Sequence, residues 1–192
     1  MMRVVAGEAK GRILKSPRGL ETRPATNKIK EAIFDILGPR TKDAYVLDLF
    51  AGSGSLGIEA LSRGARETIF VDVSPQATDT IKKNLKTLRW EPRAKVLCVK
   101  SGAAIKNLAD RKQRFDIIFS DPPYSQRIST QILEELSTSD MLAVEGVVVT
   151  RFRKDEEVPD TVARFRAIVR KTYGDSKVVF WTASPEEKKS YI

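Results

Sequence analysis

Two spacings alternate along most of this chain. Short, nearly unbroken apolar runs give way to segments in which apolar residues recur every three or four positions, and then the runs return. The runs read as strands covered on both faces, and the wider spacing reads as amphipathic helices. Runs at residues 44–50, 67–73, 94–99, 115–120 and 144–150 predict strands. Between them, residues 55–63 predict a helix closed by Gly64, and 75–88 a helix with Pro75 in its first turn. Residues 103–109 and 129–136 predict two more. Such alternation points to a mostly parallel sheet with helices on both sides. The end differs. Residues 165–173 and 177–182 are both β-rich, are joined across Gly174-Asp175, and have no helical spacing between them. They predict an antiparallel hairpin.

Ahead of this pattern, residues 2–6 and 11–15 read as short strands. A helix capped by Thr26 or Asn27 then runs to about Leu37, with Ile29, Ile33, Ile36 and Leu37 on one face and Gly38-Pro39 as its stop. Residues 1–42 are therefore expected to form an N-terminal extension, a β-hairpin plus helix, packed on one domain spanning 43–192. The 192 residues and 41% hydrophobic content suit one globular domain. No apolar run approaches the ~20 residues of a membrane span. The N-terminus lacks the pattern of a secretion signal, so a cytoplasmic location is expected. Cys98 is the single cysteine, which excludes an internal disulfide; it sits in an apolar run and is expected to be a buried, inert thiol. There is no histidine. Catalysis must therefore work without an imidazole base, and no metal site is expected.

Charge adds a partner. The net charge is +9, and residues 1–42 hold ten Lys or Arg against four acids. A local positive excess of this size points to a polyanion such as nucleic acid.

The chemistry concentrates after two strands. Gly52-Ser53-Gly54-Ser55-Leu56-Gly57 spells G-x-G-x-x-G directly behind the first strand of the alternating region. Its glycines permit a turn that a ligand can approach closely, and Asp72, 18 residues after Gly54, can accept from ribose hydroxyls. A nucleoside ligand follows, but not which one, because NAD also fits this spelling. Asp48 favours a cationic ligand. A carboxylate there repels a pyrophosphate and suits an ammonium, such as that of S-adenosylmethionine (SAM). The fourth strand ends in Asp121-Pro122-Pro123-Tyr124. Ligands of open α/β sheets bind beyond the carboxyl ends of strands, so Asp121 should face the same crevice as Gly52. The Asp121 side chain and the Pro122 carbonyl can both accept from one planar amine, and Tyr124 offers a face on which a base stacks. Two acceptors off the ring plane favour a pyramidal nitrogen and free its lone pair.

These residues resemble the RsmD family of bacterial methyltransferases, which methylate a guanine N2 amine in 16S ribosomal RNA with SAM. Arg23-Pro24-Ala25-Thr26 with Glu31-Ala32-Ile33-Phe34 is similar to its N-terminal motif, residues 48–65 to its SAM loop, Asp121–Tyr124 to its catalytic motif, and Tyr173-Gly174-Asp175 to its C-terminal turn. The resemblance implies an α/β, Rossmann-like class I SAM-dependent methyltransferase: a mostly parallel seven-stranded sheet with a C-terminal antiparallel hairpin. It implies SAM contacts from Arg23, Thr26, Asp48, Phe50, Ala51, Gly52, Ser53, Gly54, Asp72, Val73, Gly102, Ala103 and Asp121. It implies catalysis by Asp121, Pro122, Pro123 and Tyr124, and RNA contacts from Arg3, Lys10, Arg12, Lys15, Arg18 and Arg23. The expected partner is 16S rRNA, free or in a small-subunit assembly particle, with the enzyme a monomer. Three positions depart from the family pattern. Asp72 stands where Glu is frequent. Ala103 stands where an acidic residue is usual. Thr150-Arg151-Phe152-Arg153 stands where a Glu is expected, a change that suggests only added RNA-facing charge. Other acceptors remain open: adenine N6, although no segment is long enough for a DNA target-recognition insertion, or a protein glutamine, which leaves the basic stretch unexplained. A non-catalytic RNA-binding assembly factor sits poorly with an intact Asp121 motif. An NAD oxidoreductase is the weakest alternative, since no second domain is present.

Overall fold

A computed structural model of the chain describes residues 2–17, 25–122 and 126–184. Its elements are α1 (Ala25–Leu37), β1 (Tyr45–Leu49), α2 (Ser55–Ser62), β2 (Glu67–Asp72), α3 (Pro75–Leu88), β3 (Ala94–Cys98), α4 (Ser101–Asp110), β4 (Phe115–Ser120), α5 (Gln126–Thr138), β5 (Leu142–Arg153), β6 (Thr161–Val162), β7 (Phe165–Tyr173) and β8 (Ser176–Ala183). One sheet runs β3-β2-β1-β4-β5-β8-β7-β6. The first five positions pair in parallel and the last three antiparallel. Winding proceeds outward from β1 through β2 to β3, then restarts at β4 on the other side of β1. That reversal leaves a crevice beyond the carboxyl ends of β1 and β4.

Alternation along β1 shows how the sheet splits its core. Leu47 and Leu49 enter the face covered by α4 and α5, with Ile105, Leu108, Leu133 and Trp181. Val46 enters the opposite face with Ile33, Phe34, Phe119 and Val149. Asp48 shares the side of Val46, which turns its carboxylate toward α2. Among the described residues, no helix is long and apolar enough to cross a membrane.

Four expectations are corrected. The sheet has eight strands rather than seven, because the two-residue β6 pairs with β7 and buries Val162 against Phe165. An element of two residues has no period to detect. β5 starts at Leu142 rather than 144, across a register shift in its pairing with β4. Cys98 is exposed rather than buried. Its strand is the sheet's edge, so the apolar run there is only partly covered. The N-terminal hairpin is present but shorter than the runs 2–6 and 11–15, centred on one antiparallel bridge, Arg3 to Ile13. Around that bridge Val4 N–H donates to Arg12 O (2.9 Å), Leu14 N–H to Met2 O (3.0 Å) and Gly11 N–H to Val4 O (2.9 Å). Other backbone donors of the segment go to helices: Val5 and Ala6 N–H to the Glu59 carboxylate (2.8 and 2.9 Å), Glu8 N–H to Ser62 O (2.7 Å) and Lys15 N–H to Asn84 Oδ1 (2.8 Å). Met2, Val4 and Leu14 meanwhile pack with Ile58, Leu61, Phe70 and Trp90.

Glu59 is the anchor of that arrangement. It is fully buried and also accepts from Arg63 Nε at 2.9 Å, with Lys30 Nζ 3.4 Å away. Removing one partner of a buried ion pair leaves the other charge uncompensated. Glu59→Ala should lower unfolding stability by about 3–5 kcal/mol in urea titrations. Adding Lys30→Met to that background should recover part of the loss.

Candidate active site

The crevice at the β1/β4 reversal contains a cavity of about 460 Å³. One wall is the turn after β1, from Phe50 to Ser53, with Asp48 behind it. Asp121 and Ser120 form the floor, at the end of β4. The far wall comes from Ile29, Lys30 and Ile33 of α1, Val149 and Arg151 of β5, and the β7–β8 turn at Tyr173–Ser176. Met2, Ser16 and Pro17 reach its rim.

The turn is strained on the cavity side. Phe50 has φ +63° and Gly52 φ +56°, a region costly for any side chain-bearing residue. A Cβ added at Gly52 would meet no protein atom within 4 Å. Protein packing therefore does not demand glycine here; the left-handed backbone does, and the space is left open for a ligand. Gly57 is different. A Cβ there would lie 2.3 Å from Phe70 Cε1, so this glycine brings α2 down onto β2.

Three aspartates surround the turn. Asp48 is 2% exposed and accepts from Gly57 N–H at 3.0 Å through Oδ2. Burial pushes its carboxyl up to about 7; the Gly57 bond opposes the rise, and the charges of Asp121 and Asp72 add to it. Asp72 accepts from Gly52 N–H and Ser74 N–H, both at 2.8 Å, and so ties the turn to β2. Asp121 lies with Oδ1 2.8 Å from Arg151 Nε. Burial raises its carboxyl above the ordinary range, and the Arg151 guanidinium opposes that rise.

Of the residues singled out from sequence, Asp48, Phe50, Ala51, Gly52, Ser53 and Asp121 line this one cavity. Gly54 instead starts α2, at φ +79°, above Ile81 and Ile58. Asp72 stands behind the turn. Val73 is exposed beside β3, with Cys98 Sγ 3.8 Å from its carbonyl. Gly102 and Ala103 sit in the first turn of α4, outside the lining, and the Glu135 carboxylate of α5 comes 3.3 Å from where a Gly102 Cβ would be. An acidic group thus approaches from α5 although position 103 lacks one. Pro122 is buried behind Asp121. Arg18, Arg23, Pro123 and Tyr124 lie outside the described residues, as does the side chain of Thr26. Arg3, Lys10, Arg12 and Lys15 are exposed on the segment that leads to the cavity rim.

Two cavity residues were missed. Lys30 is 1% exposed and donates to Arg3 O (2.6 Å) and Ser55 Oγ (3.1 Å); burial lowers its pKa from the ordinary value, with Glu59 opposing. Its signal was available, because it precedes Phe34 by four and Leu37 by seven positions, on the buried side of the helix. Arg151 was read as RNA-facing charge and instead meets Asp121. Nothing local in the sequence connects positions 121 and 151.

A family model described as conserved hypothetical protein 95 matches residues 2–182. The chain is 42% identical over 180 residues to YlbH of Bacillus subtilis (strain 168), covering 94% of this chain and 98% of that protein. It is 31% identical over 164 residues to ribosomal RNA small subunit methyltransferase D of Escherichia coli (strain K12), covering 85% of this chain and 81% of that one. The chain belongs to the RsmD family. The likeness to known proteins extends to architecture: the solved structure of yhhF from Escherichia coli, named as a methyltransferase, superposes with a TM-score of 0.83 at 28% identity, covering 95% of this chain and 98% of that one. The residues present fit SAM, the cofactor implied by membership of the RsmD family. The open space over Gly52 accepts a nucleoside, and the carboxyl of Asp48 suits its cationic arm.

Asp48 makes stability depend on pH in a definite direction. Its carboxyl holds a proton more tightly in the folded chain, at about 7, than unfolded, at about 3.9. Its contribution is therefore intact below pH ~4 and is lost as pH rises toward about 7. Asp48→Asn should remove this loss. Denaturant titrations from pH 4 to 8 should show the variant gaining on the parent by at most about 1.4 kcal/mol per pH unit.

Proposed function

We propose that this chain transfers a methyl group from SAM to the exocyclic N2 amine of a guanine in 16S ribosomal RNA. One observation carries the reading: Asp121 and the glycine turn face a single cavity of about 460 Å³ whose lining also includes the apolar side chains of Ile29, Ile33, Val149 and Val178. When bound, SAM supplies an electrophilic methyl on its sulfonium. Asp48 balances the cofactor's ammonium. Gly52 leaves room for the nucleoside, and Asp72 holds the turn in place.

Asp121 accepts a hydrogen bond from the guanine amine and aims its nitrogen along the line of transfer, with the Pro122 carbonyl as second acceptor. Ile29, Ile33, Val149 and Val178 exclude water around the base. The work is positioning and directed electrostatics, since the amine sheds its proton only after the methyl has transferred. Pro123 and Tyr124 complete the motif, Tyr124 as a stacking face. The acceptor is reached along the basic segment of Arg3, Lys10, Arg12, Lys15, Arg18 and Arg23, whose charges hold phosphates and leave base choice to the cavity. The enzyme acts as a cytoplasmic monomer on RNA, free or within an assembling small subunit.

The deciding experiment is single-turnover transfer from labelled SAM to 16S rRNA from cells lacking the enzyme, with nucleoside analysis. Label in N2-methylguanosine is expected; label in N6-methyladenosine or in protein overturns the acceptor. Asp121→Ala should slow the reaction about 10²–10⁴-fold with SAM affinity unchanged. Asp121→Asn keeps one acceptor oxygen and should stay clearly faster than Ala. Equal loss in both would make the negative charge essential. Neutralising Lys10, Arg12 and Lys15 together should weaken RNA binding and reduce its salt slope by up to about 0.7 per lost contact on single strands. SAM affinity should hold.

A further inference from the structure

Sequence reads Arg151 only as added RNA-facing charge. Strand alternation along β5 sends Val148 and Phe152 into the core under α4 and α5 and turns Val149 toward the cavity wall. The Thr150 hydroxyl accepts from buried Trp181 Nε1 at 2.8 Å. With both neighbours of Arg151 held, its side chain is presented to the cavity floor, one quarter exposed, with Nε 2.8 Å from Asp121 Oδ1. The other cation in the cavity, Lys30, is committed to Arg3 O, Ser55 Oγ and Glu59. Ile29, Ile33, Val149 and Val178 line the same cavity as the pair. Among the described residues, the Arg151–Asp121 pair is therefore a charged donor–acceptor pair that a base can meet at this floor, beside the Ser120 hydroxyl.

The pair has a chemical signature. A carboxylate offers adjacent acceptors, and the guanidinium beside it adds donors in a planar fork. Read across, the floor presents acceptor, acceptor, donor. The Watson–Crick edge of guanine presents the complement: N2–H donor, N1–H donor, O6 acceptor. Adenine turns an amine and a bare ring nitrogen to the same groups, setting like against like. We propose, on the guanine-N2 reading above, that Arg151 is a specificity residue that donates to guanine O6 while the Asp121 carboxylate accepts from N1–H and N2–H. Arginine is the usual donor to O6 in nucleic-acid recognition. In the free enzyme the same guanidinium lies against Asp121, so base entry exchanges part of one charged contact for the O6 bond.

The test uses the mapped methylation site in a synthetic 16S rRNA fragment, carrying guanine or 2,6-diaminopurine. The analogue keeps the 2-amino acceptor but replaces O6 with a second amine and the N1–H donor with a bare ring nitrogen. The parent enzyme should prefer guanine by about 10–100-fold in single-turnover rate. Arg151→Ala should lose several-fold on guanine and little on the analogue, so the preference shrinks to the part that N1 carries through Asp121; Arg151→Lys should restore part of the lost factor. Calorimetry should show unchanged SAM affinity in both variants. A parent that takes both bases equally well overturns the assignment without any variant. So does an Arg151→Ala enzyme that slows on both substrates alike, which is the pattern of a merely structural role. A parent that places no methyl on guanine N2 fails the underlying functional reading instead.

Discussion

Glu59 is buried without measurable exposure, and groups from three separate segments converge on it: Val5 and Ala6 from the N-terminus, Lys30 from α1, and Arg63 one turn along its own helix. A carboxylate taken out of water in this way must be satisfied on every side. The demand fixes where the N-terminal segment and α1 sit relative to α2. Those two pieces supply one wall and part of the rim of the cavity. The shape of the site thus depends on a charge network that never touches the ligand proposed for it.

The electrostatics of the molecule divide between floor and surround. Asp48, Asp72 and Asp121 cluster at the strand ends of a chain whose net charge is +9. Their mutual repulsion contributes to holding the Asp48 carboxyl at about 7. A cationic ligand relieves that repulsion, whereas a polyanion is drawn to the exposed lysines and arginines of the N-terminal segment. Under the proposed function the two substrates are sorted by sign before any shape is read. Arg151 is the exception, a positive charge on the acidic floor, and its position beside Asp121 is what gives the floor both donors and acceptors.

Glycine roles within one motif also separate cleanly. Gly52 is required by its backbone and by the empty space beyond it, Gly57 by the ring of Phe70. The spelling G-x-G-x-x-G is the same in either case. Only the surroundings reveal that the first glycine serves the ligand and the last serves the packing of α2 on β2.

The sequence alone determined the α/β alternation, the parallel sheet closed by an antiparallel hairpin, and the location of the two motifs at strand ends. Each is a local signal: a period, a glycine turn, a proline pair. It did not determine what covers each strand. The apolar run holding Cys98 looks like any buried strand, yet it lies at the sheet edge and leaves the thiol exposed. The N-terminal runs look like a free hairpin, yet their pairing is short and the donors of Val5, Ala6, Ala9 and Lys15 are claimed by Glu59, Ser62 and Asn84 from distant helices. The contact of Arg151 with Asp121 joins residues from neighbouring parallel strands with a helix between them in sequence. Burial, edge position and ion pairing depend on which segments meet. Periodicity reports only how one segment presents its faces, so these features were decided by the tertiary structure.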